Sequence, residues 1–456
     1  MPTPWSTTSL PERLAWVARF RRALAANEKR LALAVKEDVS KGRFETLTSD
    51  LLPLLAACKW TERNARGLLS PRSVGGRPFW MRGIRVHEHR EPLGKVAIIA
   101  TWNYPVQLLG IQLVQALAAG NTVVVKPSER AVKSQTLLLQ LAKDAGLPEE
   151  ALTSTPATRE AGGTLLAGER FDHVVFTGST EVGKSIAATL ATSLRHLTLE
   201  LSGRDSAIVL DDADPKLAAA AIWAAVCING GQTCMGPRRA LVHAAVYKPF
   251  VEALSALAKK AQPRALIDEA AALNCYELVK RAMEMGARDA SGATYGSPHP
   301  NGPFPPPVGK LFRPTAVIDC PRVAALTEGR HFGPVIAVVR VERMEEALDI
   351  HHACDQHLAT SVFTGVPSRA KRLAPLLAAT TITINDCIVP TAHPGVSIGG
   401  RGESGLGLSR GAEGLLAMTR PVYISVSKGL MRRSLKEPSA SVTGVVARIL
   451  TWIYSW

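Results

Sequence analysis

Between residues 95 and 126 the chain carries the pattern that limits its fold most. The apolar run Val96-Ala97-Ile98-Ile99-Ala100 is followed by an amphipathic segment of about 16 residues and then by Thr122-Val123-Val124-Val125. Two runs of strand length joined by a helical segment make a βαβ unit, and its strands lie parallel because the crossover returns the chain to the same end of the sheet. The rhythm continues, with strands predicted at His173–Phe176, Leu197–Leu201, Ala207–Leu210, Ala240–Val242, Val335–Val339, Ser361–Phe363 and Thr381–Ile384 and helices separating most of them. An α/β fold of parallel sheets follows. A chain of 456 residues, 46% of them hydrophobic, can bury two such domains, and no internal repeat is present.

The first ninety residues read as mostly helical and carry no legible chemistry. Ser9-Leu10-Pro11-Glu12 has the form of a capping box, and Leu14, Val17, Leu24, Leu31 and Val35 keep helical spacing. His87-Glu88-His89 puts both imidazoles on one strand face, expected to be exposed rather than metal-bound. Lys+Arg 54 against Asp+Glu 39 gives a net charge of +15, which suits nucleic acid, an acidic membrane surface or a polyanionic cofactor. The basic residues are scattered, apart from Arg19/Arg21/Arg22 and Arg432/Arg433, and aromatics are only 5%, which argues against a nucleic-acid surface. Seven cysteines with no Cys-x-x-Cys pair argue against a disulfide framework and a zinc site. The N-terminus lacks a basic region followed by an apolar core, so a reducing cytoplasm is the expected compartment.

Chemistry concentrates in Asn229-Gly230-Gly231-Gln232-Thr233-Cys234, where paired glycines let the backbone approach a ligand and the apolar run Ala220–Ile228 reads as a helix presenting the loop. A thiol attacks only as thiolate, so a neighbour must lower its pKa or take its proton. Glu200, closing the strand Leu197-Thr198-Leu199-Glu200-Leu201, is the candidate base. Phe176-Thr177-Gly178-Ser179-Thr180-Glu181-Val182-Gly183-Lys184-Ser185 follows a strand and opens a helix, and so marks a phosphate site. Gly178 to Ser185 fits the loop of a P-loop nucleotide triphosphatase, with Asp211-Asp212 as the magnesium-binding acids.

Glu-Leu-Ser-Gly at 200–203 with Gly-Gln-Thr-Cys at 231–234 resembles the base and nucleophile motifs of the aldehyde dehydrogenase superfamily. Phe176-Thr177-Gly178-Ser179-Thr180 and Gly183 are similar to its pyrophosphate turn, Thr101-Trp102-Asn103-Tyr104-Pro105 to its oxyanion motif, and Lys126-Pro127-Ser128-Glu129 to its adenosine-ribose motif. Arg90-Glu91-Pro92-Leu93-Gly94 and Ser404-Gly405-Leu406-Gly407 are further landmarks in the same order. The resemblance covers roughly residues 10 to 428, and the joint occurrence of five motifs is far more specific than any one. It implies two Rossmann-type parallel-sheet domains: residues 1–200 for NAD(P), 201–405 for catalysis, then a closing and oligomerisation segment, 406–429, and a basic-aromatic tail, 430–456. It implies Cys234 as nucleophile, Glu200 as base and Asn103 as oxyanion donor. Thr101, Trp102, Lys126, Ser128, Glu129, Gly178, Ser179, Gly183, Leu201 and Phe332 would hold the cofactor. Glu129 makes NAD+ the expected cofactor, with NADP+ open.

The pattern is broken at Glu328-Gly329-Arg330-His331-Phe332-Gly333-Pro334, where Arg330 stands in place of the Glu that grips the nicotinamide ribose in this family; guanidinium only donates hydrogen bonds. Ile398 replaces a usual Phe. Three alternatives therefore stay open beside aldehyde oxidation: a coenzyme A-acylating relative, a scaffold of impaired activity, and the P-loop enzyme. Tyr104 and Trp223 line an apolar substrate funnel or belong to the core. The expected substrate is an apolar aldehyde, and the resemblance to the class 3 branch implies a homodimer. The proline-rich stretch 297–307 reads as an irregular loop. The tail from Val445 to Trp456 is too short to span a bilayer and is expected to dock on protein, with contact at a membrane surface as the alternative. His351-His352-Ala353-Cys354-Asp355-Gln356-His357 reads as a solvated helix end without metal, and Asp211-Asp212-Ala213-Asp214 as a helix cap.

Overall fold

The strands of the first βαβ unit, Lys95–Ile99 and Thr122–Lys126, pair in parallel near the middle of a six-stranded sheet. The computed structural model describes residues 4–168, 170–292, 305–428 and 438–455; most of the proline-rich stretch and the Arg432/Arg433 pair lie outside them. Across this sheet the strands run Gly405–Leu406, His196–Glu200, His173–Thr177, Lys95–Ile99, Thr122–Lys126 and Leu152–Ser154. All are parallel except the first, which pairs antiparallel with His196–Glu200. A second sheet of seven strands runs Arg288–Asp289, Thr315–Ile318, Val335–Val341, Arg239–His243, Ser206–Val209, Ala359–Phe363 and Thr381–Ile384, again parallel except for its first strand. Each strand predicted from the apolar runs is present. The interior strands are buried along almost their whole length, as a sheet covered on both faces requires.

The chain divides into two compact units. One holds residues 1–69 and 91–420, including both large sheets. The other holds residues 70–90 and 421–456. Its strands Arg72–Ser73, Ile84–Pro92 and Thr419–Ser427 form a small sheet, in which Glu88 is buried between Arg72 and Arg90. His87 and His89 are half-buried rather than exposed, the imidazole of His87 lying 3.4 Å from the Ser73 hydroxyl. The tail helix Ala440–Tyr454 has no buried residue.

The segment between the first two strands forms the helix Gln107–Ala119. It is buried at every residue, which the amphipathic reading did not anticipate. Its glutamines are compatible with burial because they find partners: Gln112 reaches Thr177 and Glu200, and Gln115 reaches the Gly411 carbonyl. The front helices Leu10–Ala26 and Leu52–Leu69 pack against it, and Glu12 accepts from the Ser9 backbone N–H as a capping box should. Trp16, fully buried, donates its indole N–H to the Ala142 carbonyl at 3.0 Å.

The front end also supplies a buried ion pair. Lys41 Nζ lies 2.6 Å from Asp50, with both side chains out of solvent. Asp50 accepts from the backbone N–H groups of Val106 and Gln107, and Lys41 donates to the Asn103 carbonyl at 3.0 Å. Removing one member of such a pair strands the other charge in the interior. Lys41→Met is therefore expected to cost about 3–5 kcal/mol of stability, read as a lowered midpoint in chemical denaturation. A midpoint within experimental error of the native protein would refute the assignment.

Candidate active site

Along the six-stranded sheet the chain proceeds outward from Lys95–Ile99 to Leu152–Ser154, then returns to the other side of its first strand with His173–Thr177. That reversal opens a crevice beyond the carboxyl ends of the two adjacent strands, where open parallel sheets bind ligands. A cavity of about 470 Å³ lies there, lined by Thr101, Trp102, Lys126, Ser128, Glu129, Gly178 and Ser179. The helix Thr180–Ala191 starts at its edge, capped by the Ser179 hydroxyl, which accepts from Val182 N–H. Its N-terminus offers unpaired N–H groups and the positive end of the helix dipole to an anion. At Gly178 an added Cβ would sit 2.3 Å from the Phe176 ring. Lys126, buried, pairs with Glu129 at 2.9 Å. Gly183 does not line the cavity. It lets the helix approach Leu201, whose Cδ2 a Cβ would meet at 2.5 Å, so its part is packing rather than direct contact.

A second cavity of about 230 Å³ shares Thr101, Trp102, Gly178 and Ser179 with the first and adds Asn103, Glu200, Leu201, Phe332 and Cys234. The loop before Cys234 reverses through three successive left-handed residues, Asn229 (φ 51°), Gly230 (φ 59°) and Gly231 (φ 70°). At Gly231 a Cβ would stand 2.3 Å from the Gly333 carbonyl carbon, so the nucleophile loop and Phe332-Gly333-Pro334 interlock by backbone contact. The Asn229 amide donates to the carbonyls of Asn103 (2.8 Å) and Gln232 (3.1 Å), and the Asn103 amide donates to Gln232 O at 3.1 Å. Glu200, buried, accepts from Gln112 Nε2 at 3.1 Å.

Burial pushes the Cys234 thiol up to about 11, and Glu200 adds to the rise; Arg410 and Arg238 pull the other way. The resting side chain is therefore a thiol rather than a thiolate. Arg238 is fully buried and donates to the carbonyls of Gly231 (3.1 Å) and Thr233 (2.7 Å), with its guanidinium 5.2 Å from the centre of the Phe332 ring. The sequence reading passed over both Arg238 and Gln112. A signal was available in each: a glutamine inside an otherwise apolar helix, and an arginine pair leading into an apolar strand.

Of the two readings open for Tyr104 and Trp223, the core one fits: the Tyr104 hydroxyl is 2.6 Å from Thr233 Oγ1 with its ring beneath Lys41, Trp223 is packed in the second sheet's core, and neither lines this cavity. Other expectations need correction. Lys184 points away from the phosphate cleft to pair with Glu403, and the Ser206–Val209 strand leading to Asp211 belongs to the other sheet. A P-loop enzyme needs its lysine on the phosphates and its acid on the same sheet. Asp211 and Asp212 pair with Arg369, while Asp214 caps the helix Pro215–Cys227 as expected. Arg330 is exposed and paired with Glu328 at 2.6 Å; with Arg204 it lines a hollow bordering Ser179 and Phe332. His351 and His357 are buried rather than solvated.

Arg238→Met would leave the buried Gly231 carbonyl without its side-chain donor and the Thr233 carbonyl with only the Gly236 N–H, and would remove a positive charge near the thiol. It is expected to destabilise the protein by about 2–4 kcal/mol and to slow alkylation of Cys234 by iodoacetamide. A lowered melting point with an unchanged alkylation rate would reduce Arg238 to a purely structural part.

Comparison with known proteins agrees with this geometry. The model of the aldehyde dehydrogenase family matches residues 2–424. The 4,4'-diapolycopene aldehyde oxidase of Methylomonas sp is 30% identical over 442 residues, 95% of this chain and 81% of that protein. The dimeric NADP-preferring aldehyde dehydrogenase of Canis lupus familiaris is 29% identical over 412 residues, 89% of this chain and 87% of that one. Among solved structures, a Mycobacterium tuberculosis aldehyde dehydrogenase complexed with NAD+ superposes with a TM-score of 0.83 at 26% identity, covering 94% of this chain and 88% of that one. A family match over residues 2–424, together with a relative 30% identical across 95% of the chain, shows that the chain belongs to the aldehyde dehydrogenase family.

Proposed function

We propose that Cys234, Glu200 and Asn103 carry out the NAD(P)-dependent oxidation of an aldehyde to a carboxylic acid. The observation that carries this reading is the cavity holding all three side chains, continuous with the phosphate cleft through Thr101, Trp102, Gly178 and Ser179. The cleft suits a dinucleotide: it has a helix N-terminus at its edge for the pyrophosphate, and the Lys126–Glu129 pair and Ser128 line the same cavity for a ribose. Trp102, Leu201 and Phe332 would hold the nicotinamide end, which supplies the hydride acceptor when bound. Glu129 favours NAD+, since a carboxylate repels a 2′-phosphate, and Lys126 keeps NADP+ open.

Within the chain, Glu200 or a water it holds draws the proton from the Cys234 thiol. The thiolate adds to the aldehyde carbonyl, and the Asn103 amide with the Cys234 backbone N–H donates to the oxygen as charge gathers there. Glu200 then takes a proton from the water that hydrolyses the cysteine thioester. The walls supplied by Trp102, Leu201 and Phe332 suit an apolar aldehyde. We assign residues 1–200 to cofactor binding, 201–405 to catalysis and 406–429 to pairing of two subunits, a homodimer supported by the dimeric relative. Among the described residues no helix is long and apolar enough to cross a membrane, and the exposed apolar helix Ala440–Tyr454 would make any membrane contact from the surface of a cytoplasmic protein.

NAD(P)H formation with a panel of short, long and aromatic aldehydes is expected from the native protein, and Cys234→Ala should lower it by about 10⁴-fold or more. Activity that survives Cys234→Ala would sink the assignment. Arg330→Glu, which restores an acceptor at the cleft's edge, is expected to lower KM for the cofactor several-fold with little change in kcat; an unchanged KM would place Arg330 outside the cofactor site. Because the thiol titrates at about 11, only a small fraction is thiolate at neutral pH. The rate of Cys234 alkylation in the free protein should climb about tenfold per pH unit from 7 towards 10. A plateau near pH 8 would show an activated thiolate instead.

A further inference from the structure

Three histidines that the proposed chemistry does not use converge at the end of the helix Met344–His352. His351 and His352 close the helix, and His357 sits on the short strand Gln356–His357 that follows. Each offers one ring nitrogen, and the three nitrogens lie within 4.8 Å of one another. The ring centres are 4.6, 5.0 and 5.9 Å apart. Three imidazoles on one tetrahedral zinc, with Zn–N of about 2.0–2.1 Å, have ring centres about 5.2 Å apart, so the observed spacings bracket a common centre.

His351 Nε2 faces the Leu377 carbonyl at 2.9 Å and must carry the proton there, since a carbonyl only accepts. Nδ1 is then the basic nitrogen, accepting at 3.2 Å from the Ser206 hydroxyl, which itself accepts from Arg239; a metal ion there would take the place of that hydrogen bond. His357 is buried, and its Nδ1 has no hydrogen-bond partner. A buried polar atom left unpaired is costly, and a metal ion would satisfy it. His352, exposed, opens the cluster to solvent and leaves room for water as a fourth ligand.

We infer that His351, His352 and His357 form a binding site for a divalent transition-metal ion of the zinc class. Imidazole nitrogen selects this class over magnesium and calcium. One charge opposes it: Arg239 donates to the His351 carbonyl at 3.2 Å and stands 3.3 Å from the Cys354 sulfur, so binding is weaker than at a closed structural zinc site. The site is linked to the helix Thr180–Ala191, because Gln356, adjacent to His357, donates to Thr180 Oγ1 at 2.6 Å.

The test is titration of the full-length protein with Zn(II) in competition with a chromophoric chelator. One equivalent is expected to bind to the native protein and to Cys234→Ala, which removes the competing thiol. His352→Ala and His357→Gln should each weaken that binding more than tenfold while keeping the native circular dichroism spectrum. His352 is exposed, so its removal leaves the fold intact. No bound equivalent in the native protein, an equivalent that survives both histidine substitutions, or one that disappears with Cys234 would each overturn the site.

Discussion

The main-chain carbonyl of Asn103 is the point on which three distant parts of the chain converge. Lys41 donates to it from the turn after the helix Glu28–Val39, Asn229 donates to it from the loop before Cys234, and Asn103 itself extends from the strand end of the first sheet. A carbonyl has two lone pairs, and both are used. Because Lys41 is also bound to Asp50, and Asp50 to the first N–H groups of the helix Gln107–Ala119, the same network fixes where that helix begins. Gln112 on that helix then reaches Glu200. One buried network therefore orients Asn103, the loop before Cys234 and Glu200, and each group's place depends on the others being satisfied.

Close backbone approach completes what the network begins. Gly231 against Gly333 brings the nucleophile loop within contact of Phe332, and Gly203 brings the turn after Glu200 against the Cys234 carbonyl, where a Cβ would stand 2.9 Å away. Neither contact tolerates a side chain. The thiol is thereby held in a pocket whose low polarity raises its pKa while Arg238 and Arg410 moderate the rise. Burial that opposes the resting charge also strengthens hydrogen bonds to any oxyanion formed in the same place.

Much of this was legible in the sequence, and the reasons it was are local. Most strands of the two sheets announce themselves because short apolar runs between helical segments admit few other readings, whereas Leu152–Ser154, Thr315–Ile318 and the two-residue edge strands were not read. The Asn103, Lys126, Gly178, Glu200 and Cys234 motifs are each a residue type at a strand end or loop, where spacing along the chain is itself the signal. The illegible parts depend on contacts between distant segments. Nothing near Lys41 or Asp50 in the sequence says that they meet beneath Asn103, and the helix Gln107–Ala119 reads as amphipathic because its glutamines look like a solvent face. Arg238 and the histidines at 351 and 357 belong to the same class: charged or polar residue types that sequence statistics place at the surface, buried here because partners elsewhere in the fold satisfy or confine them. The rival phosphate-loop reading failed for a similar reason, since only the sheet order reveals that the strand before Asp211 lies in a different sheet from the loop.

The two ends of the cofactor cleft are built on opposite logic. At the Lys126 end an ion pair presents both a donor and an acceptor, so ribose hydroxyls can be held from either side. At the Phe332 end Arg330 donates only, and the carboxylate within reach, Glu328, is already taken by it at 2.6 Å. Freeing Glu328 to accept from a sugar hydroxyl would require breaking an exposed ion pair, which is worth no more than about 1 kcal/mol. That small cost is comparable to the gain from one hydrogen bond to a charged acceptor. The edge of the cleft is thus balanced between a closed pair and an engaged carboxylate. An anion near Ser179 would tip it by drawing the guanidinium away from Glu328 and towards the phosphates.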